Sequence, residues 1–394
     1  MPQETVHPIP TSAPPTNGSA KPAPAKAGLE DVVAGTSSIC FLDGKRGILA
    51  YRGYDIHDLV KGSFEETAYL LLYEKLPTQP ELAEFNAKLV RSRKLPAGLR
   101  ERIGELPKNI HPMAALRTLV SIAGLSDPQA EDMSREANLE KAIRMIGMMP
   151  LIVAYFDAAR NGRPFVEPKD SLGHAANFLY MLLGKEQDAE VVKMFDSALT
   201  LHADHEFNAS TFTGRCIAAT LSDIYSAVVG AIGALKGPLH GGANEQVMRM
   251  LLKIGDPAKT KEWITDALAR KEKVMGFGHR VYRTEDPRAT HLRKFSEAMG
   301  KRTGEMQWFQ MSRTIEDFIM QEKHLYSNVD FYSASTYYQM GIPLDLYTPI
   351  FALSRVSGWT AHILEQYAHN RIIRPTADYT GPVDCSWHPI NERK

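Results

Sequence analysis

Residues 217–244 read IAATLSDIYSAVVGAIGALKGPLHGGAN. From Ile217 to Leu235 the apolar side chains recur at helical spacing. Gly237-Pro238 then stops the helix, because proline lacks the amide hydrogen and its ring clashes with the preceding turn. His240 sits between that stop and two glycines, and a new helix is expected from Glu245 onward. The stretch therefore reads as a long apolar helix, an abrupt polar turn carrying a histidine, and a second helix.

The same period continues on both sides. Toward the N-terminus it recurs over residues 64–76, 81–93, 113–123, 139–159, 172–183 and 191–201. Toward the C-terminus, Asp256-Pro257 and Asp286-Pro287 each read as an N-cap followed by proline at the first helical position. Asp330 heads another apolar helix, closed by Gly341 and Pro343, and a final long helix covers about residues 348–369. The β signal is confined to residues 37–42 and 47–51, with Asp43-Gly44 as the turn between them. No repeat of solenoid length is present. The expected class is all-α with a minor N-terminal β-hairpin, and residues 237–342 form a candidate small domain.

Composition narrows the function classes. Apolar residues make up 44% and charged residues 23%, the balance of a globular protein with a sizeable core. Lys+Arg and Asp+Glu number 46 each, so no bulk field favours nucleic acid or an anionic membrane, and any anion site must be built locally. Cys40, Cys216 and Cys385 are sparse, odd in number and outside any metal-ligand spacing, which points to a reducing compartment. No uninterrupted apolar run approaches the roughly 18 residues of a membrane span; the best, residues 224–235, is too short. The N-terminus has no basic-then-apolar signal pattern and no arginine before Arg46, so a cytoplasmic location is expected. Residues 1–28 hold seven prolines and five alanines and are expected to be a disordered tail.

Three short motifs carry chemistry. The first is Gly237-Pro-Leu-His240-Gly-Gly-Ala-Asn244. His240 reads either as a histidine in a polar interhelical turn or as a neutral imidazole that donates to a developing enolate; a helix N-terminus favours the neutral ring. The second is Lys273-Val-Met-Gly276-Phe-Gly278-His279-Arg-Val-Tyr-Arg283, followed by Asp286-Pro-Arg288. Arginine suits bidentate capture of carboxylates. Arg288 stands against the dipole preference of a first helical turn, so it pairs either with Glu285 or Asp286 or with a ligand anion. The third is Ser327-Asn328-Val-Asp330-Phe-Tyr-Ser333, in which Asp330 reads as an N-cap, as a desolvated base, or as both.

In this order and spacing, on an all-helical chain, the three motifs resemble the citrate synthase family. The resemblance runs from about Gly35 to Pro375 and includes Tyr51-Arg-Gly-Tyr54, Leu201-His-Ala-Asp-His205-Glu-Phe-Asn-Ala-Ser210 and Leu353-Ser-Arg355-Val-Ser-Gly-Trp359. It implies two helical domains: a large one from residues 29–236 and 343–394, and the small one already named, closing over substrates bound between them. It implies condensation of acetyl-CoA with oxaloacetate through citryl-CoA, the first step of the tricarboxylic acid cycle. Asp330 would take the methyl proton, His240 would hold the thioester oxygen and His279 would polarise the ketone. Oxaloacetate would be held by His205, Arg288, Arg355 and Arg374, with Arg371 as a rival for the last. The CoA contacts implied are Lys273, Gly276, Gly278, Arg283 and Asn328. No tightly bound cofactor and no metal are implied; His202 and His205 share a helix face, but no third ligand is evident and HExxH is absent. A homodimer with shared active sites follows from the same resemblance, and the family also includes hexamers. Two other readings stand beside it: a 2-methylcitrate synthase that takes propionyl-CoA, and a non-catalytic assembly protein on the same fold.

Overall fold

The computed structural model describes residues 27–29 and 32–393. The tail read in residues 1–28 lies outside them, except for its last two positions. Two compact units are distinguished. Residues 37–373 form the main one, and the described parts of 1–36 and 374–394 form a terminal one. The terminal unit contains two short 3-10 turns, Ala27–Leu29 and Ile390–Glu392. The Arg393 guanidinium lies 5.7 Å from the Trp387 ring centre.

The main unit opens with a small antiparallel sheet of β1 (Cys40–Asp43), β2 (Ile48–Tyr51) and β3 (Tyr54–Asp55). The Asp43 carboxylate accepts the Lys45 and Arg46 amides at 3.0 Å each, which closes the turn opposite Ile48. β3 was not expected, since two residues carry no alternation to read. Eight helices follow: α1 (Ile56–Leu59), α2 (Phe64–Tyr73), α3 (Gln79–Arg91), α4 (Leu99–Glu105), α5 (Pro112–Leu125), α6 (Arg135–Arg160), α7 (His174–Leu183) and α8 (Ala189–His202). Eight more complete the unit: α9 (Ala209–Ala218), α10 (Ile224–Leu235), α11 (Ala243–Ile254), α12 (Thr260–Ala269), α13 (Pro287–Thr303), α14 (Gln307–Lys323), α15 (Val329–Gln339) and α16 (Tyr347–Ala368). The class is all-α, as expected.

Caps explain many of the starts. Ser63 and Glu66 form a reciprocal capping box on α2. Asp188, Asn208, Asp223, Asp286 and Asn328 each accept an amide at the head of α8, α9, α10, α13 and α15. The one long helix expected over residues 217–235 is in fact two. The chain leaves α9 after Ala218, Leu221 takes a positive φ of 63°, and Asp223 starts α10 by accepting the Ser226 amide at 2.9 Å. α4 and α14 carried no expectation, although Trp308, Met311, Ile315 and Ile319 are buried at helical spacing along α14.

α16 lies at the centre of the unit, buried almost continuously from Tyr347 to Ile363 and packed on α2, α6, α8, α9 and α10. Gly358 permits this. A Cβ there would fall 2.4 Å from both the Ala203 carbonyl and Asp204 Oδ1, so only hydrogen lets α16 touch the turn between α8 and α9. Among the described residues α6 is the one helix long and apolar enough to cross a membrane, and 89% of its apolar window is buried inside the protein. It is apolar on all sides because protein surrounds it. The three cysteines are free thiols.

Candidate functional site

The site is built from four chain segments, residues 202–210, 273–288, 326–330 and 237–242, together with Arg355 of α16. The first is the turn from His202 to Ser210. His202 Nδ1 donates to the Ala198 carbonyl at 2.7 Å, which leaves Nε2 buried without a partner among the described residues. Burial pushes its pKa down to about 3. His205 is also buried, which holds its ring well below the usual histidine range. Its Nε2 lies 3.2 Å from the Tyr282 hydroxyl and its ring 5.1 Å from that of His279. Arg355, on α16, donates Nε–H to the His202 carbonyl at 2.7 Å. Its guanidinium sits 4.7 Å from the Phe351 ring centre, and its Nη2 is buried with no partner. Arg355 is 1% exposed and forms no ion pair among the described residues. Burial lowers its pKa to about 10, with Asp204 opposing. An uncompensated buried cation is costly, so this one is the strongest sign of an anion-binding position.

The second segment is residues 273–288. Gly276 and Gly278 take positive φ angles of 85° and 76°. The loop between them is zipped to residues 326–328: Gly278 N–H donates to Tyr326 O at 2.9 Å, Asn328 N–H to Gly276 O at 2.9 Å, and Asn328 Nδ2 to Gly278 O at 3.0 Å. The frame therefore fixes the His279 and Asp330 motifs relative to each other. His279 Nδ1 accepts the amides of Val281 and Tyr282 at 3.0 and 3.2 Å. Two amide donors leave the ring proton on Nε2. Burial, and then the Arg288 charge, push this ring down to about 4, so it is neutral at pH 7. Arg288 is 2% exposed and lies in a bidentate pair with Asp286, Nε to Oδ1 at 3.0 Å and Nη2 to Oδ2 at 2.8 Å. The pairing with Asp286 read from sequence is thus present, but buried. Asp286 Oδ2 also accepts the Val329 amide at 3.2 Å, which ties the start of α13 to the start of α15.

Asp330 follows in the first turn of α15. It does not cap the helix: Asn328 does, accepting the Asp330 amide at 3.0 Å. The Asp330 carboxylate is therefore free of capping duty. It is 8% exposed, and Oδ1 is buried with no hydrogen-bond donor. Burial raises its pKa to about 7, against the pull of Arg288.

The fourth segment is the Gly237–Gly242 turn. His240 Nε2 lies 2.8 Å from Ser210 Oγ and 3.3 Å from the Ser210 amide. Trp359 Nε1 donates to the same Oγ at 3.1 Å. Burial, followed by the Arg355 charge, lowers this ring to about 4. Neutrality was expected from the helix dipole; here burial is the larger cause. The next helix begins at Ala243, two residues earlier than expected.

His205, His240, His279, Arg288, Arg355 and Asp330 thus form one electrostatic neighbourhood. Arg288 acts on His205, His279 and Asp330, and Arg355 acts on His205, His240 and Asp330. Lys273 and Arg283 are exposed, and the Arg283 amide donates to Gly44 O at 2.8 Å. Arg371 belongs to the main unit and Arg374 to the terminal one. Sequence reading gave no role to Ser210, Trp359 or Tyr282, and gave Asp286 a cap and a pairing with Arg288 but not the bond to the Val329 amide. A cavity of about 390 Å³ lies elsewhere, among Lys88, Arg91, Lys94, Arg144 and Tyr225. It shares no residue with this neighbourhood.

Comparison with known proteins agrees with the all-α fold. A family described as "Citrate synthase, C-terminal domain" matches residues 28–376. A citrate synthase of Haloferax volcanii is 54% identical over 374 residues, covering 93% of this chain and 99% of the relative. A 2-methylcitrate synthase of Mycobacterium tuberculosis is 44% identical over 357 residues, covering 90% of each. Among solved structures, the ternary complex of carboxymethyl coenzyme A and oxaloacetate with citrate synthase from Thermoplasma acidophilum superposes with a TM-score of 0.88. It is 36% identical, covering 93% of this chain and 98% of that one.

Proposed function

The chain belongs to the citrate synthase family and is an acyltransferase, and from that premise we propose that its cleft condenses acetyl-CoA with oxaloacetate and hydrolyses citryl-CoA to citrate and CoA. The observation that carries the assignment of roles is Asp330: a buried carboxylate, capping nothing, with one oxygen unpartnered and a pKa near 7. A base of that kind suits proton transfer at neutral pH.

The methyl hydrogen of a thioester is a very weak acid, so its removal needs stabilisation of the oxygen at the same moment. Asp330 takes the proton, and the C–H electrons become the enol double bond. His240 holds the thioester oxygen. The Ser210 amide beside Nε2 can only donate, which favours the tautomer with its proton on Nδ1, available to the substrate. The enol carbon then attacks the oxaloacetate ketone, whose oxygen accepts from Nε2–H of His279. Because both rings are neutral, they donate without adding a cation beside the arginines. Water finally cleaves the thioester. Holding both substrates in one cleft converts an encounter of two molecules into an effectively intramolecular step.

Arg288, Arg355 and His205 receive oxaloacetate, with the unpartnered Nη2 of Arg355 as a ready donor to a carboxylate. Arg374 completes the site of the neighbouring subunit in a homodimer, with Arg371 as its rival. Lys273, Gly276, Gly278, Arg283 and Asn328 line the CoA path. Residues 237–342 act as a small domain that closes on the rest, and closure keeps water from acetyl-CoA until condensation. The protein works in the cytoplasm without a tightly bound cofactor.

The 44% identity to a 2-methylcitrate synthase supports a second reading, with propionyl-CoA as acyl donor. One methylene is worth about 1–3 kcal/mol of discrimination, so kcat/KM for the two donors decides it. Thiol release with oxaloacetate plus either acyl-CoA tests both readings. Absence of CoA release with either donor overturns the proposal.

A further inference from the structure

His57, on the one-turn helix α1, and His291, on α13, face each other across 234 residues of sequence. His57 Nδ1 lies 2.7 Å from His291 Nε2, with ring centres 4.9 Å apart and planes inclined at 40°. Among the described residues neither nitrogen has another hydrogen-bond partner. One proton therefore bridges the two imidazole nitrogens. His57 is exposed, so the pair is open to solvent. Neither residue belongs to the neighbourhood described above.

We propose that His57 and His291 form an exchangeable two-imidazole site for a borderline divalent transition ion such as Zn²⁺ or Ni²⁺. The ion replaces the bridging proton and takes one nitrogen from each ring. Two Zn–N bonds of about 2.0–2.1 Å at a tetrahedral angle place the nitrogens about 3.3 Å apart. The rings need to separate by roughly 0.6 Å from the observed geometry, within reach of side-chain rotation. Imidazole is a preferred ligand for these ions, whereas Mg²⁺ and Ca²⁺ require oxygen donors. Burial and the nearby His57 and Lys294 charges lower the His291 pKa to about 4, which keeps its lone pair available at neutral pH. The Asp55 carboxylate, which accepts the His57 amide at 2.8 Å, adds negative charge beside the pair. Among the described residues no group of three His, Cys, Asp or Glu side chains is set to hold a metal. The site is therefore not a resident centre: water fills the remaining positions and the ion exchanges with solution. An occupied site ties α1 to α13, whose first turn carries Arg288.

The test is calorimetric titration of the chelator-stripped, untagged full chain with ZnCl₂ and, separately, NiCl₂. Thermal melting is followed in parallel. The expected result is saturable uptake of one ion per chain that raises the melting temperature. His57→Ala and His291→Ala should each abolish that uptake while melting like the metal-free parent. The surface position of His57 makes its variant safe to fold. Absence of saturable uptake in the parent, or its survival in either variant, overturns the proposal.

Discussion

Arg355 gives one hydrogen bond to the His202 carbonyl at 2.7 Å and keeps a terminal nitrogen buried with nothing to bind. Among the described residues no carboxylate forms an ion pair with it, Asp204 acting only from a distance, so a ligand carboxylate is the partner the arrangement suits. Arg355→Met should therefore weaken oxaloacetate binding while costing little folding stability. Charge-assisted hydrogen bonds are worth about 1.5–3 kcal/mol, so the expected loss of affinity is about 10- to 150-fold. Calorimetric titration with oxaloacetate, paired with a denaturant melt, measures both. Unchanged affinity would mean that the cation serves the fold alone.

Asp330 presents the opposite balance. Its pKa is raised to about 7 by burial, well above the ordinary carboxylate value of 3.8. A raised folded-state pKa means that the protonated form suits the fold. Stability is full below about pH 4, declines as pH rises toward 7, and levels off above it. A shift of that size corresponds to a penalty of about 4 kcal/mol at pH 8. Asp330→Asn should be the more stable protein at pH 8, with the gap closing by pH 4. Condensation should nearly vanish while oxaloacetate still binds. Denaturant midpoints across that pH range check the first claim and thiol release the second.

Much of this arrangement was legible in the chain. Helical periods, Asp-Pro caps and the Gly237-Pro238 stop are local signals, and they gave the class and most of the elements. The split between α9 and α10 was not legible from apolar spacing, because Asp223 interrupts an otherwise continuous pattern only through its capping bond. Six of the site residues came from motif resemblance. The contacts that tune them did not, because they are long-range: Ser210 to His240 spans 30 residues, Trp359 to Ser210 spans 149, and the orphaned nitrogen of Arg355 is defined by what fails to reach it. Asp286 was read as a cap. Its second task, holding the Val329 amide, needs α15 packed beside α13.

The Ser210 hydroxyl sits between His240 and Trp359. Ser210→Ala removes it, leaves the Trp359 Nε1–H unpaired in the core, and keeps the backbone amide that faces Nε2. Loss of one buried hydrogen bond costs about 1–3 kcal/mol of stability. Turnover should fall about tenfold as the ring loosens, with oxaloacetate affinity unchanged. Nitrogen-15 spectra of the His240 ring should still report the proton on Nδ1, because the amide remains. A switch to the Nε2–H tautomer in the parent protein would remove the role assigned to His240.

Asp286 compensates Arg288 with both carboxylate oxygens and accepts the Val329 amide with one of them. All of these groups are buried, so Asp286→Ala strands a guanidinium and an amide together. Removing one partner of a buried pair costs about 3–5 kcal/mol, and the melting temperature should drop accordingly. Asp286→Asn keeps one acceptor oxygen and should retain more of the stability. Both variants should also differ from the parent in pH behaviour. With Asp286 neutralised, the Arg288 charge acts unopposed on Asp330 and draws its carboxyl pKa down from about 7. The acid limb of the kcat/KM profile for acetyl-CoA should then move to lower pH in Asp286→Asn. A profile that keeps its acid limb in place would mean that the limb belongs to a group other than Asp330.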